Sequence, residues 1–468
     1  MKRPHGILLG TGFLLALLAA ATGAQDQAGS ELVQMVVRLL GDQDKDVRSL
    51  GLEQVRGGVK GAVATRKFAA QLAQLAPAAQ VGLLKALADR GDSAARPELL
   101  KTIASSHNPA VRDAAIRALG SLGKAEDLSM LMKLLASGPK TQHAAARASL
   151  TRLSGDTVSA ALAAALKTEP PDVDVILIQI LAERQARDTI PTLLSAAMNA
   201  EPTVRTAAMA ALGQLAGTPH LAGMLRGVLK AEPGRERAAA EKQVMLVCQR
   251  IGGTEQRCQP LLAAMATFPE ADQLALLPTL GRVGGSAALH RIEMAIADSN
   301  PKIHEIGIQA LCNWPNAKIA PRLIELVDSD TQPQHRLAAL RALIRVAPLP
   351  GNRPAAEKLE LLQKAMAMAT RDRERRLVLQ RAAAIRTIET LRFVLPYVDN
   401  PRFAQQACKS IVELAHHRGL REPHKAEFHL ALDKVIQTSQ DTTVLDRAQR
   451  YKRDQTWVRP KRSTGETQ

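Results

Sequence analysis

Apolar side chains recur at three- and four-residue steps over most of the chain, and no stretch alternates polar and apolar positions as a half-buried strand would. Between residues 108 and 139 the pattern is at its clearest. Val111, Ala114, Ala115, Ala118 and Leu119 fall on one face of a helix, which Gly120 and Gly123 are expected to end. A second stripe of Leu128, Leu131, Leu134 and Leu135 follows, and Ser137-Gly138-Pro139 closes the segment. The spacing predicts a helical hairpin. Asn108-Pro-Ala-Val-Arg-Asp-Ala-Ala-Ile-Arg-Ala-Leu-Gly-Ser-Leu-Gly123 is then repeated, nearly position for position, by Glu201-Pro-Thr-Val-Arg-Thr-Ala-Ala-Met-Ala-Ala-Leu-Gly-Gln-Leu-Ala216. Weaker copies begin near Asp46, Ala79, His143, Asp172, Arg237, Asp272, Asn300, Gln334, Glu374 and Asn400. The starts lie roughly 27 to 40 residues apart, most near 31, which gives about twelve units. One hairpin cannot bury its apolar stripe alone, so successive hairpins must stack on a shared core, and the fold class is all-α.

The Pro-x-Val-Arg-x-x-Ala-x-x-Ala-Leu-Gly phrase at Pro109–Gly120 and Pro202–Gly213 resembles HEAT repeats, in particular the short HEAT-like repeats of bacterial proteins. The resemblance covers most of residues 31–437 and implies a right-handed α-solenoid of stacked helical hairpins, a HEAT/armadillo-like superhelix. It also implies that the arginines after the leading valine, Arg48, Arg112 and Arg205, join a structural ladder between adjacent repeats. In the C-terminal third, Ala310-Leu-Cys-Asn-Trp-Pro-Asn-Ala317, Leu361–Ala367, Phe393-Val-Leu-Pro-Tyr-Val-Asp-Asn-Pro401 and Ala431–Ile436 look like secreted HEAT-repeat regions of planctomycete and verrucomicrobial proteins. Such regions often accompany a sugar-cleaving domain or a c-type cytochrome. This chain has no Cys-x-x-Cys-His haem motif and no β-rich segment.

The ends add a compartment. Lys2 and Arg3 precede an apolar run from Ile7 to Ala21, too short to span a bilayer comfortably, and small residues lead to Ala24-Gln25. Residues 1–24 read as a signal peptide cleaved between Ala24 and Gln25, so the chain is expected to be exported to a periplasmic or extracellular location. Residues 438–468 read as a capping helix followed by a polar tail, in which Trp457 either folds back as a cap or stands exposed to a partner. The stretch 348–356, Pro-Leu-Pro-Gly-Asn-Arg-Pro-Ala-Ala, interrupts the helical pattern as an enlarged loop; a domain boundary is the rival reading.

Composition changes the picture in two ways. Aromatic residues make up only 2% of the chain, which leaves Ala and Leu to fill the interior and disfavours base stacking. The formal charge of +17 falls to +15 once Lys2 and Arg3 are removed, and it favours acidic partners. The run Arg447, Arg450, Lys452, Arg453, Arg459, Lys461 and Arg462 is the best candidate for an anionic contact, whereas Arg371-Asp-Arg-Glu-Arg-Arg376 mixes in acids and reads as a solvated face.

Candidate chemistry is sparse. Cys248 and Cys258 each lie five residues from Gly253, so an antiparallel hairpin brings them level; a disulfide and a pair of buried thiols stay equally open. Cys312 and Cys408 read as core thiols. Among His416, His417, His424 and His429 the spacings miss the four-residue register that lets two imidazoles share an ion, so no metal is assigned there. Asp328 and Asp330 read as helix-capping acids in a turn. Gly-x-Ser-x-Gly and phosphate-binding Gly-rich loops ending in Lys-Ser or Lys-Thr do not occur, and neither catalytic residues nor a cofactor is assigned. The functional expectation is a non-catalytic extracytoplasmic scaffold that binds a protein or peptide partner on the concave face of the solenoid. Two alternatives remain: a binder of anionic polymers or membrane surfaces through a basic face, and a HEAT-like lyase of the phycobilin-lyase type. Nucleic acid is disfavoured by the export signal and the scarcity of aromatics.

Overall fold

The computed structural model describes residues 31–457 except residue 167. The leader 1–24 with its Ala24-Gln25 junction, and Arg459, Lys461 and Arg462, lie outside these residues. Among the described residues all regular structure is helical, and the fold is an all-α solenoid. A helix over 31–40 comes first. The hairpins that follow open with the helices α1 (Lys45–Glu53), α2 (Pro77–Arg90), α3 (Pro109–Leu122), α4 (Lys140–Arg152), α5 (Pro171–Glu183), α6 (Pro202–Leu215), α7 (Arg235–Gln249), α8 (Leu277–Val283), α9 (Pro301–Cys312), α10 (Pro333–Val346), α11 (Asp372–Ala382) and α12 (Ala404–His416). A terminal helix, α13, spans Thr442–Lys452. The chain divides into two compact units, one comprising residues up to 216 with 230–236, the other comprising 217–229 and residues from 237 onward.

The local reasons for these helices are plain in α3. Asn108 has an extended backbone and its side chain accepts hydrogen bonds from the amides of Ala110 and Val111, while Pro109 occupies the first helical position where its missing N–H costs nothing. Val111, Ala115, Ala118 and Leu119 are buried as the stripe predicts, but so are Ile116 and Gly120. The stripe is wider than a single contact face because α3 packs against α2 on one side, α4 on the other, and the helix Arg96–Ser105 beneath.

Gly120 does not end α3, which runs on to Leu122. A Cβ at residue 120 would stand 2.8 Å from the Ser149 Cα on α4, so the glycine marks a close approach of two backbones. Ser149 seals it by donating its hydroxyl to the Ile116 carbonyl. Ser410 makes the equivalent bond to the Leu379 carbonyl at 2.9 Å between α12 and α11.

Two further expectations need correction. Glu374, in the run read as a solvated face, is 1% exposed and takes both Nε (2.9 Å) and Nη2 (2.6 Å) of Arg341 from the preceding first helix. Asp330 is no N-cap: Gln332 holds that place for α10, Asp330 is the C-cap of the helix Ala320–Ser329, and its carboxylate is buried between two imidazoles. In the loop around 348–354, Arg353 donates to the Ala317 carbonyl one repeat back and pairs with Glu357. At the C-terminus Trp457 folds back onto α13, its indole N–H donating to Asp446 at 3.0 Å and its ring lying 4.9 Å from the Arg447 guanidinium carbon.

Candidate functional site

Arginine and the helix C-terminus form the recurrent polar joint of this molecule. The arginine after the leading valine reaches back to the turn before its own helix or to the end of the preceding one: Arg48 donates to the carbonyls of Asp42 and Gln43, Arg205 to those of Asn199 and Ala200, and Arg112 to that of Ile103 in the helix Arg96–Ser105. Of the three, Arg205 also reaches one repeat forward, where its fork grips both oxygens of Glu236 at 2.7 and 2.9 Å.

A second set of arginines was missed in the sequence. Arg90, at the end of α2, donates to the carbonyls of Val55 and Val59; Arg184, just past α5, to those of Leu150, Thr151 and Leu153; Arg345, in the last turn of α10, to those of Cys312 and Trp314; Arg381, in the last turn of α11, to that of Arg345. Each spans about one repeat and neutralises orphan carbonyls at the negative end of the previous first helix. Burial lowers the pKa of Arg90, Arg184 and Arg345 from the ordinary arginine value, and for Arg345 the neighbouring charges of Arg282 and Arg381 lower it further. The signal available in the sequence was an arginine near the end of a first helix, at Arg90, Arg184, Arg345 and Arg381.

Other cations are used the same way. Arg96 pairs with Asp127, Arg341 with Glu374, Arg392 with Glu427 and Arg447 with Glu413, each across about one repeat. Within the candidate anionic-contact run, Arg447 is held by Glu413 and stacked on Tyr451 and Trp457, Arg450 pairs with Asp446, and Lys452 pairs with Asp433. Arg453 is exposed beyond the end of α13.

No bond joins Cys248 and Cys258, and both are buried thiols. Burial pushes Cys248 up to about 11, the neighbouring Cys258 adding to the shift; burial likewise raises Cys312 to about 12 and Cys408 to about 11. Thiols held that high carry almost no thiolate near neutral pH, so none is an activated nucleophile. The C-terminal histidines do not converge on an ion: His416 bonds the Tyr451 hydroxyl at 2.8 Å. Metal-ligating atoms do come together elsewhere, at His304, Asp330 and His335, within 4.8 Å of one another.

A shallow, open groove of about 670 Å³ lies in the first unit. Val175 and Gln179 from α5 form one wall, and Thr203, Thr206, Ala207 and Ala210 from α6 form the floor. Glu232, Pro233 and Arg235, on the approach to and the first turn of α7, close the other side. The side chains of Gln179, Thr203 and Thr206 lie on exposed helix faces and make no hydrogen bond to another described residue, so their donors and acceptors are available to a ligand. The Arg205–Glu236 pair fixes the lip, since it ties the α6 helix to the segment carrying Glu232 and Arg235.

Residues 65–151 and 159–245 match a family model described as HEAT repeats. Among solved structures, the chain is similar to Kap121p bound to Pho4p, with 14% identity, a TM-score of 0.45, and coverage of 91% of this chain and 53% of that one. It is also similar to the karyopherin Kap121p bound to the SUMO protease Ulp1p, with 13% identity, a TM-score of 0.46, and coverage of 91% and 53%. The chain thus spans about half the length of these solved chains. A search of curated proteins returns no match.

Proposed function

We propose that the chain is a non-catalytic, extracytoplasmic scaffold that holds a protein or peptide segment on the concave face of its solenoid. The observation that carries this reading is the groove between α5, α6 and the 232–236 segment. It combines small apolar side chains with unengaged polar ones, and its two carboxylates, Glu232 and Glu236, both face Arg205. Such a lining suits an extended segment, whose backbone needs hydrogen-bond partners along its length and whose side chains need shallow apolar contacts. The export half of the proposal is supported by Lys2, Arg3 and the apolar run Ile7–Ala21, and by the likeness of the C-terminal third to secreted HEAT-repeat regions. No helix among the described residues is long and apolar enough to cross a membrane.

The rival reading, a binder of acidic polymers, needs free cations gathered on one face. Arg96, Arg205, Arg341, Arg392 and Arg447 are instead taken up by carboxylates of neighbouring repeats. The test is retention of envelope proteins by the wild-type chain and by Thr206→Arg, which fills the groove from an exposed position and leaves the core untouched. A partner retained at physiological salt by wild type and lost by Thr206→Arg supports the groove. Equal retention by both refutes it, and retention that vanishes steeply with salt favours the polyanion reading.

A further inference from the structure

His304 and His335 sit at the starts of successive first helices, α9 and α10, and Asp330 lies in the turn that leads into α10. Both histidines depart from the repeat. In Pro301-Lys-Ile-His304 the histidine takes the slot held by Arg112 and Arg205, and in Pro333-Gln-His335 it takes the slot held by the buried Val111 and Val204. His304 still does what the arginine does, reaching back to the preceding helix, where its Nδ1 lies 2.6 Å from the Ile296 carbonyl. A carbonyl only accepts, so Nδ1 carries the proton and the Nε2 lone pair is left facing outward. That lone pair is aimed at Asp330 Oδ2, 3.3 Å away. On the other side Asp330 Oδ1 lies 3.3 Å from Nδ1 of His335. Asp330 is 3% exposed and His335 8%, and Nε2 of His335 is buried with no partner among the described residues.

Protein groups alone leave this cluster unsatisfied. With neutral His304, a bare nitrogen lone pair faces a carboxylate oxygen. With neutral His335, one tautomer buries an unmet N–H and the other a bare lone pair. By contrast, one donor atom from each of the three residues lies within 4.8 Å of the others, close enough for all three to converge on a single ion. Two imidazoles and one carboxylate are the donor set of open zinc sites, and the Nδ1 bond to a backbone carbonyl is the usual outer support for such a histidine.

We propose that His304 through Nε2, Asp330 through its carboxylate and His335 bind a divalent transition-metal ion of the zinc class. The ion clips the turn before α10 to the start of α9, and the 28% exposure of the His304 side chain leaves an entry path and a fourth position for water. It stabilises the joint between two repeats because its ligands come from both.

The test uses the full chain stripped with a chelator and then titrated with zinc, with a chromophoric chelator as competitor and thermal unfolding read in parallel. Wild type is expected to take up one equivalent at this site and to unfold at a higher temperature with zinc than without. His304→Arg restores the arginine that other repeats use at this slot, so it keeps the bond to the preceding helix while removing a ligand. Asp330→Asn keeps the carbonyl that accepts from the Gln332 amide. Each variant should keep the wild-type circular dichroism, bind zinc at least ~10-fold more weakly and lose the thermal shift. Cys248→Ser, as a control for the thiols, should bind as wild type does. Absence of uptake by wild type, or uptake undiminished in both His304→Arg and Asp330→Asn, overturns the proposal.

Discussion

Replacing Arg184 with methionine keeps a stem of similar length but removes a guanidinium whose Nη1 donates to the Leu150, Thr151 and Leu153 carbonyls at 2.8, 3.1 and 2.8 Å and whose Nε donates to Ser159 Oγ at 3.2 Å. Hydrogen bonds from a charged group contribute about 1.5–3 kcal/mol each when taken singly. These do not add, because three acceptors share one nitrogen and water can reach the freed carbonyls of a half-buried site. Loss of the cation from the C-terminal end of α4 contributes a further 0.3–1 kcal/mol, roughly. A total near 2–3 kcal/mol is therefore expected, and in a stacked array it should be felt locally. Hydrogen exchange read by mass spectrometry is the suitable assay. Amides over 146–153 should exchange about 30- to 150-fold faster in Arg184→Met, at about 1.4 kcal/mol per tenfold change, while those of α9 and α10 stay unchanged. Arg184→Lys should recover less than half of the protection, since its shorter stem leaves the ammonium short of the Nη1 position and nothing replaces Nε against Ser159 Oγ. Exchange over 146–153 within threefold of wild type, or full rescue by lysine, would refute the reasoning.

Gly120→Ala forces a methyl against the Ser149 backbone at 2.8 Å and should lower stability by ~1–3 kcal/mol in urea unfolding; Gly57→Ala, with nothing within 4 Å, should be neutral. Equal behaviour of the two would show that α3 and α4 can separate at no cost. Asp174 is buried on α5 with one carboxylate oxygen unpartnered, and burial, aided by the charge of Glu169, raises it to about 6. A folded-state pKa above the unfolded value means that its contribution is fully present below about pH 4 and is lost as the pH rises through about 6. Wild type should lose ~1–2 kcal/mol across that window after allowance for solvent screening, whereas Asp174→Asn should show no such decline and be the more stable protein at neutral pH. Parallel pH profiles for the two chains would sink this assignment.

What the sequence made legible follows from periodicity. The helices and their stripes were readable because apolar positions repeat within a few residues, and the Pro-x-Val-Arg phrase marked where first helices begin. The joints were not, because the acceptors of Arg90, Arg184 and Arg345 are backbone carbonyls some 30 residues away, and a carbonyl leaves no trace in the residue type that carries it. Gly120 was misread because a glycine that ends a helix and one that admits a neighbouring backbone look alike in one dimension. Glu374 was misread because its charged neighbours suggested solvent, although its place at the start of α11 faces the previous repeat. His335 did leave a signal, a polar residue in an apolar slot, which became visible only when Pro333 was aligned with Pro109.

The choice of acceptor at these joints bears on how such an array can change. Where Arg205 meets Glu236, two side chains must be kept together, because the bidentate pair is lost when either is replaced. Where Arg184 or Arg345 meets the end of the preceding helix, only one residue is specified, because every sequence that forms a helix presents the same carbonyls. A repeat carrying its own arginine can be placed after almost any other helical repeat and still dock. Duplication, deletion and drift of neighbouring units then need no matching substitution across the seam, so the array can lengthen or diversify its outward residues while its joints stay intact.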